Sequence, residues 1–396
     1  MGDILIIGAG ECGVRAAFAL RETGHEGGIR LIGEEPHLPY ERPPLSKTAS
    51  TTPKLIAEEA RYGEADIELM RGSRVESIDR AGKRVRLSTG ETFSYDKLLI
   101  ATGARARRPL GMEAAFTLRS LDDARAILGA VRPGVRLTII GGGFIGLELA
   151  ATARKLRVGV TVVEAADRLM ARIVPAEIAE TVAERHRAEG VELILGAGVT
   201  AVRPDGLTLA DGREIEAHMV VAGVGAEPET QLAAEAGLEV ANGIVVDGRL
   251  ATSDPHIFAA GDCCSFPYNG ERVRLESWRC AQDQGTHAAH TMLGRKDRYT
   301  RVPWFWSDQY DLTLQVAGIP DPSLGHVRRT LDDAFILFQF GADGRLVSAS
   351  GVGIGNAVAK NIRLAEMMME KGIRPDPAQL ADPAVNLKKL LKGIPA

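Results

Sequence analysis

Two glycine-rich hexapeptides carry the strongest chemical signal in this chain, Gly8-Ala9-Gly10-Glu11-Cys12-Gly13 and Gly141-Gly142-Gly143-Phe144-Ile145-Gly146. The first glycine of such a motif permits a tight turn, the second lets backbone approach a pyrophosphate, and the third lets a helix pack on a strand. The helix N-terminus then offers partial positive charge to the phosphate oxygens. A carboxylate that could bond a ribose diol follows each motif: Glu34 lies 21 residues past Gly13, with Glu35 beside it, and Glu164 lies 18 past Gly146. A third signal is Ile257-Phe258-Ala259-Ala260-Gly261-Asp262, an apolar strand ending in Gly-Asp. Gly261 allows close approach of backbone to a ligand, and Asp262 can accept hydrogen bonds from a sugar-alcohol hydroxyl such as flavin ribitol. Two dinucleotide sites on one chain imply a flavin and a nicotinamide, each supplying chemistry that side chains lack.

The elements that would position these residues occur twice. Ile4–Ile7 is a short apolar run suited to a buried parallel strand, a helical stretch from Val14 to Arg21 stops near Gly24, and Ile29–Ile32 is the next strand. Leu137–Ile140, a helix from Leu147 to Leu156 ended by Gly159, and Val160–Val163 repeat the pattern, with the three motif glycines offset by a constant 133 residues. The likeness continues downstream. Gly72-Ser73-Arg74-Val75 matches Gly196-Ala197-Gly198-Val199, Thr89-Gly90-Glu91 matches Asp211-Gly212-Arg213, and Ile100-Ala101-Thr102-Gly103 matches the segment from Val221 to Gly225. Asp262 lies beyond both glycine turns, so the first domain is expected to be interrupted by the second. From Leu312 the pattern changes to strands at Leu312–Val316, Ala334–Phe340 and Leu346–Val352 and a helix from Asn356 to Lys371, with no nucleotide signature. The expected architecture is α/β: two Rossmann-like domains and a C-terminal α+β domain. The FAD-binding domain would comprise residues 1–110 and 236–310, the inserted NAD-binding domain 111–235, and the α+β interface domain 311–396.

Composition narrows the function classes. Glycine makes up 44 of 396 residues without a collagen period, which places the excess in turns. With 48 basic and 52 acidic residues the net charge is −4, which argues against a protein that coats nucleic acid and requires an anionic ligand to be held by local dipoles. The four cysteines, with Cys263 and Cys264 adjacent, have neither disulfide-framework nor zinc-ligand spacing, and the adjacent pair reads as small packing hydrophobes. The longest uncharged run, Leu346 to Ala359, is too short and too polar to span a membrane, and Asp3 followed at once by a strand leaves no room for a signal peptide. The expectation is a soluble cytoplasmic protein with no membrane partner. Arg295, Lys296, Arg298 and Arg301, and Lys388, Lys389 and Lys392, read as solvated faces.

Longer stretches identify a family resemblance. Leu38-Pro39-Tyr40-Glu41-Arg42-Pro43-Pro44-Leu45-Ser46-Lys47, Glu276-Ser277-Trp278 with Ala281-Gln282-Asp283-Gln284-Gly285, and Val302-Pro303-Trp304-Phe305-Trp306-Ser307-Asp308-Gln309-Tyr310 are similar to the glutathione-reductase-like flavoproteins. Within them they resemble the ferredoxin reductases of bacterial P450 and ring-hydroxylating dioxygenase systems, the putidaredoxin reductase type. Apoptosis-inducing factor shares part of the pattern at greater distance. The resemblance implies FAD on Gly8, Gly10, Cys12 and Gly13, with Glu34 or Glu35 holding its adenosine ribose. Arg42, Lys47, Val75, Ala101, Thr102, Gly103, Arg119, Gly261, Asp262 and Trp278 would surround the rest, and Trp304 and Trp306 would cover the flavin. NADH would use Gly141, Gly143, Phe144, Ile145, Gly146, Glu148 and Glu164. Glu164 repels a 2′-phosphate and so favours NADH over NADPH, a preference that Arg168 weakens.

Lys47 is the implied tuning cation and Glu148 its partner at the nicotinamide carboxamide, the two catalytic positions of the pattern. The disulfide reductases of the superfamily carry a redox cysteine pair in the segment matching Arg42 to Thr48, where this chain has none. Reduced flavin would therefore hand its electrons to something outside the chain, and the resemblance implies that this is a [2Fe-2S] ferredoxin that takes them singly and feeds a P450 or dioxygenase. Rubredoxin or another thiol-independent acceptor, or a redox-responsive signalling role of apoptosis-inducing-factor type, are the alternatives.

Overall fold

Consecutive apolar residues suit strands covered on both faces, and the buried run Ile4-Leu5-Ile6-Ile7 lies at the centre of a five-stranded parallel sheet. A computed structural model describes residues 2–391. The chain up to Arg42, Thr52–Arg105 and Ala226–Arg301 form one compact unit; Pro43–Thr51, Ala106–Gly225 and the chain from Val302 onward form another.

In the first unit the sheet order is Ile257–Ala259, Lys97–Ile100, Ile4–Ile7, Ile29–Ile32, Ile67–Met70, all parallel. The second unit repeats the arrangement with Phe116–Thr117, Met219–Ala222, Arg136–Ile140, Gly159–Val163 and Glu192–Ile194. Each sheet has an accompanying three-stranded antiparallel meander, Val75–Asp79 to Thr92–Ser94 in one and Val199–Arg203 to Glu214–Glu216 in the other. Even the register shift recurs, at Val75/Ser77 and again at Val199/Ala201. The duplicated turns Thr89-Gly90-Glu91 and Asp211-Gly212-Arg213 both place glycine at positive φ, 92° and 86°, so the downstream likeness in sequence reports a shared hairpin.

The C-terminal part is a five-stranded antiparallel sheet, ordered Trp304–Gln309, Leu312–Gly318, Leu346–Ile354, Ala334–Phe340, His326–Leu331, with the Ala359–Glu370 helix packed on it. Leu314, Val316, Phe335, Leu337 and Val352 of this sheet share a core with Leu147, Leu169, Ile178 and Val182 of the second nucleotide-binding motif.

The structure corrects the expected layout in four places. The segment 226–235 lies in the first unit, where Ala233 is fully buried in the core and Leu232 packs beside it. Trp304–Gln309, expected within the domain ending at 310, is an edge strand of the C-terminal sheet, paired along its length with Leu312–Gly318. His326–Leu331 is a further edge strand whose charged residues hid it. The second motif helix is Phe144–Lys155 with Leu156 as its cap, and the residue that terminates it is not Gly159: Arg157 takes the left-handed φ of 61°, which lets Val158 bury completely, and Gly159 opens the next strand. Among the described residues no helix is long and apolar enough to cross a membrane. Lys392 of the second basic cluster lies outside the described residues.

Candidate functional site

The two glycine turns have one design. Gly8 adopts φ +108°, and a Cβ there would lie 2.2 Å from the Ala101 carbonyl oxygen; Gly141 adopts φ +104°, and its Cβ would lie 2.4 Å from the Gly223 oxygen. A Cβ on Gly13 would meet the Gly8 oxygen at 1.9 Å, and one on Gly146 the Gly141 oxygen at 2.4 Å. The middle glycines differ: a Cβ on Gly10 or on Gly143 would meet nothing within 4 Å. Outer glycines are therefore demanded by the protein's own backbone, and middle ones leave space in front of a helix end. Gly10 and Gly143 are the N-caps of the Glu11–Glu22 and Phe144–Lys155 helices, and neither helix has a side-chain cap. Their leading N–H groups, Cys12 and Gly13 in one and Ile145 and Gly146 in the other, face an open cradle of the kind a pyrophosphate fills. Phe144 is held by a ring contact to Phe305, with centroids 5.3 Å apart, while Ile145 is 45% exposed.

In the first unit, Gly261 brings the Gly-Asp turn to this helix end. It sits at φ +80°, its N–H donates to Gln284 Oε1 at 2.7 Å, and a Cβ on it would approach the Cys12 Cβ to 3.1 Å. Asp262 follows, half-buried. Glu11, a residue that sequence reasoning gave no role, is gripped at the same end: Trp278 Nε1 donates to Oε2 at 2.9 Å and Gln282 Nε2 to Oε1 at 2.6 Å. Burial pushes the Glu11 carboxyl up, and these two donors oppose the shift. Trp278 thus anchors the Trp278–Met292 helix beside the first cradle.

Gly33 occupies the position equivalent to Glu164, since Gly8 N–H bonds Ile32 O and Gly141 N–H bonds Val163 O. A Cβ at Gly33 would lie 2.8 Å from that of Ala9, so the acid moves on by one residue. Glu34 pairs with Arg74 at the surface at 2.9 Å. Glu35 is taken up by Arg42 Nη2 at 2.7 Å and by the Tyr40 hydroxyl at 2.5 Å. Val75 opens the meander, and Ala101-Thr102-Gly103 crosses over the first glycine turn, with Ala101 N–H bonded to Ile7 O and Thr102 Oγ1 to Glu229 O.

The second unit gathers a cluster of charged, hydroxyl and aromatic side chains. Pro44–Lys47 is a single helical turn docked on the Phe144–Lys155 helix: Thr152 Oγ1 donates to Ser46 O at 2.8 Å, and Ser46 Oγ donates to Glu148 Oε2 at 2.5 Å. Lys47 Nζ is 3.5 Å from Glu148 Oε1 and 2.9 Å from Asp308 Oδ2. It also lies 4.5 Å from the centroid of the Trp306 ring, whose Nε1 donates to the same Asp308 oxygen. Trp304 stacks on Trp306 with centroids 5.3 Å apart and planes at 21°. Ser307 Oγ donates to Glu148 Oε1 at 2.6 Å. Glu148 is 5% exposed, and burial pushes its carboxyl up against the pull of Lys47 and the two serines. The structure thus brings Lys47, Glu148 and Trp306 together. Ser46, Ser307 and Asp308 complete the group, and only the alternation of Trp306 and Asp308 along one strand could have signalled any of them. Arg119 lies apart from this group, at the start of the Leu121–Ala130 helix, where its N–H joins the Asp123 cap.

Residues 2–285 match the family described as pyridine nucleotide-disulphide oxidoreductase, and residues 304–391 match the reductase C-terminal family. The chain belongs to the pyridine nucleotide-disulphide oxidoreductases. It is an oxidoreductase that uses FAD and NAD(H), in keeping with two open cradles. The anthranilate 1,2-dioxygenase system ferredoxin–NAD(+) reductase component of Burkholderia cepacia is 40% identical over 406 residues, covering 98% of each chain. Rhodocoxin reductase of Rhodococcus erythropolis is 39% identical, covering 98% of this chain and 93% of its own. Among solved structures, putidaredoxin reductase in its covalent complex with putidaredoxin superposes with a TM-score of 0.94 at 32% identity, covering 99% of this chain and 98% of that one. The ferredoxin reductase for the CYP199A2 system of Rhodopseudomonas palustris gives 0.91 at 36% identity, covering 98% and 99%.

The disulphide in this family's name has no counterpart between Arg42 and Thr48, a segment without cysteine. Cys12, Cys263, Cys264 and Cys280 are free and buried. Cys263 Sγ bonds the carbonyls of Ile100 and Ala260, and Cys264 Sγ bonds Gln284. Burial pushes all four thiols up, Cys280 to about 12, which leaves them unreactive as nucleophiles.

Glu164 is fixed at its strand end by the N–H groups of Gly142 at 2.7 Å and Ala166 at 2.8 Å. Arg168 turns its guanidinium to the carbonyls of Leu169, Ala171 and Val174, a posture that does not offer it to a phosphate. Glu164→Ala is expected to raise KM for NADH by about tenfold while changing that for NADPH much less; steady-state kinetics with both nucleotides measures the ratio, and an unchanged ratio removes Glu164 from cofactor choice.

Proposed function

We propose that the protein is an NADH:ferredoxin reductase that delivers electrons, through a [2Fe-2S] ferredoxin, to a P450 or ring-hydroxylating oxygenase. When bound, FAD would supply the conversion of one hydride, two electrons taken together, into two one-electron transfers. The first glycine cradle, with Glu34 assigned to the adenosine ribose and Glu35 to holding Arg42, is the flavin's; the second, with Glu164, is the nicotinamide nucleotide's. Ala101-Thr102-Gly103, Val75, Gly261, Asp262, Trp278 and Arg119 are assigned to the flavin on the family pattern. Lys47 supplies fixed positive charge for the electron-rich reduced ring, and Glu148, buried and doubly hydrogen-bonded, orients the carboxamide of the incoming nucleotide. The protein's contribution to this chemistry is placement and electrostatics, and no side chain needs to carry a proton.

The observation that carries the reading is the combination of two intact cradles with four thiols locked into the core. With no sulfur relay, electrons leave the flavin directly for an acceptor outside the chain. The relative named as a ferredoxin–NAD(+) reductase component matches 98% of this chain, which supports a ferredoxin over an unrelated carrier. We place the protein in the cytoplasm, where NADH and such carriers meet. The test is cytochrome c reduction by the yellow protein and NADH, with and without a [2Fe-2S] ferredoxin. Strong dependence on ferredoxin is expected. A flavin that NADH cannot bleach without air, or turnover indifferent to ferredoxin, defeats the proposal.

A further inference from the structure

Behind Glu148 runs a buried polar chain that the proposed chemistry does not use. Ser307 and Gln309 alternate with Trp306 and Asp308 on the edge strand Trp304–Gln309, so one face of the strand meets Lys47 and the other turns inward. On the inward face Ser307 Oγ donates to Glu148 Oε1 at 2.6 Å, Gln309 Nε2 donates to Ser307 Oγ at 3.0 Å, and Gln309 Oε1 lies 2.8 Å from His186 Nε2. The Tyr310 hydroxyl is 3.3 Å from His186 Nδ1. Glu148, Ser307, Gln309 and His186 are 5%, 1%, 3% and 0% exposed.

The chemistry of these groups fixes a direction. An ionised carboxylate only accepts, so the Ser307 hydroxyl proton points at Glu148 and its lone pair is free for the Gln309 amide. The Gln309 carbonyl oxygen also only accepts, so His186 carries its proton on Nε2, leaving Nδ1 to accept from Tyr310. Four donors therefore point the same way, from Tyr310 through His186, Gln309 and Ser307 to Glu148. A second donor, Ser46, caps the other carboxylate oxygen. Tyr310 reaches His186 from the left-handed region, at φ 58°, uncommon for a residue of its size. Apolar side chains would join the strand to the Ala176–Ala188 helix with no desolvation cost; a polar chain of this length is tolerated only when every member is satisfied. Burial holds His186 below its ordinary value and hence neutral, as the chain requires.

We infer that Gln309 and His186 are positioning residues for hydride transfer, holding the Glu148 carboxylate in one orientation through Ser307. The inference rests on the reading that Glu148 orients the nicotinamide. In anaerobic stopped flow, Gln309→Met, which keeps the volume and removes the amide, is expected to slow flavin reduction about five- to tenfold with FAD content unchanged. Combined with Glu148→Gln it is expected to add no further loss, because the two act through one group.

A purely structural role predicts the same fold loss in both backgrounds. Histidine-selective nitrogen NMR supplies a readout that needs neither turnover nor a variant at Gln309: His186 should carry its proton on Nε2, and its resonance should move in Glu148→Gln. If Glu148→Gln is slow while Gln309→Met reduces flavin at the wild-type rate, or if the losses multiply independently, the inference fails and the proposed function stands. If Glu148→Gln itself is as fast as wild type, the reading of Glu148 fails and the inference with it. Should Gln309→Met fail to fold, a His186 protonated on Nδ1 in the wild-type protein overturns the chain's direction by itself.

Discussion

Lys47→Met is expected to slow anaerobic reduction of the bound flavin by NADH by about a hundredfold, with FAD still bound and the protein still yellow. Three features converge on Nζ: the Asp308 carboxylate at 2.9 Å, the Glu148 carboxylate at 3.5 Å and the face of Trp306 at 4.5 Å. All of them attract the ammonium and fix its position, and with 15% of the side chain exposed the charge is screened little by water. Methionine replaces the stem closely, so the packing of the Pro44–Lys47 turn should survive and the loss should report charge. A second consequence follows at Glu148. Burial already pushes this carboxyl up, and Lys47 is the largest influence opposing it. Removing Lys47 pushes it further toward the neutral acid, so the variant should lose the carboxylate as well as the ammonium and become more sensitive to falling pH. Stopped flow across pH measures both effects. Wild-type rates would remove Lys47 from the reaction.

The cluster around Lys47 shows what one sequence can and cannot disclose. The glycine turns were legible because their constraint is local: Gly8, Gly13, Gly141 and Gly146 are each required by a backbone atom within a few residues or in the adjacent strand. The likeness around Gly90 and Gly212 was legible for the same reason, although the meanders that it marks were not read as strands. Lys47 and Glu148 became visible only through resemblance, since nothing in the spacing of residues 101 apart links a surface-type lysine to a helical glutamate. Ser46, Ser307 and Asp308 lie in the stretches that carry the resemblance, but no role was legible for them. Serine and aspartate at such positions read as ordinary surface residues until tertiary packing brings the edge strand against the motif helix. His326–Leu331 was missed because an edge strand with few buried residues has no apolar alternation to display. The misplacement of Gly159 has a different origin: glycine is the usual left-handed residue after a helix, but here Arg157 took that conformation because completing the core at Val158 outweighed a strain of about 1 kcal/mol.

The middle glycines should separate the two nucleotides by a single substitution each. Gly10 has φ −81° and ψ −172°, and Gly143 has φ −85° and ψ 179°, extended backbone that any L-residue adopts. Neither has an atom within 4 Å of a Cβ. Valine at either position should therefore fold, at a cost near 1 kcal/mol for a poorer helix cap. What valine removes is the space in front of the helix N-terminus. Gly10→Val is expected to yield a folded, colourless protein that no longer retains FAD. Gly143→Val is expected to stay yellow and to be reduced by dithionite, yet to lose at least about a hundredfold in its rate of reduction by NADH, because a pyrophosphate displaced by a methyl group forfeits several charge-assisted hydrogen bonds together. Gly13→Ala and Gly146→Ala serve as the contrast. Their Cβ atoms would strike backbone oxygens at 1.9 and 2.4 Å, so they should lower the thermal midpoint instead of selecting between ligands. If Gly143→Val lost its colour and Gly10→Val kept it, the two cradles would have to exchange their assignments. If both variants bound FAD and accepted electrons from NADH at normal rates, neither cradle would be a pyrophosphate site, and the glycines that recur at a spacing of 133 residues would be no more than packing glycines of a duplicated core.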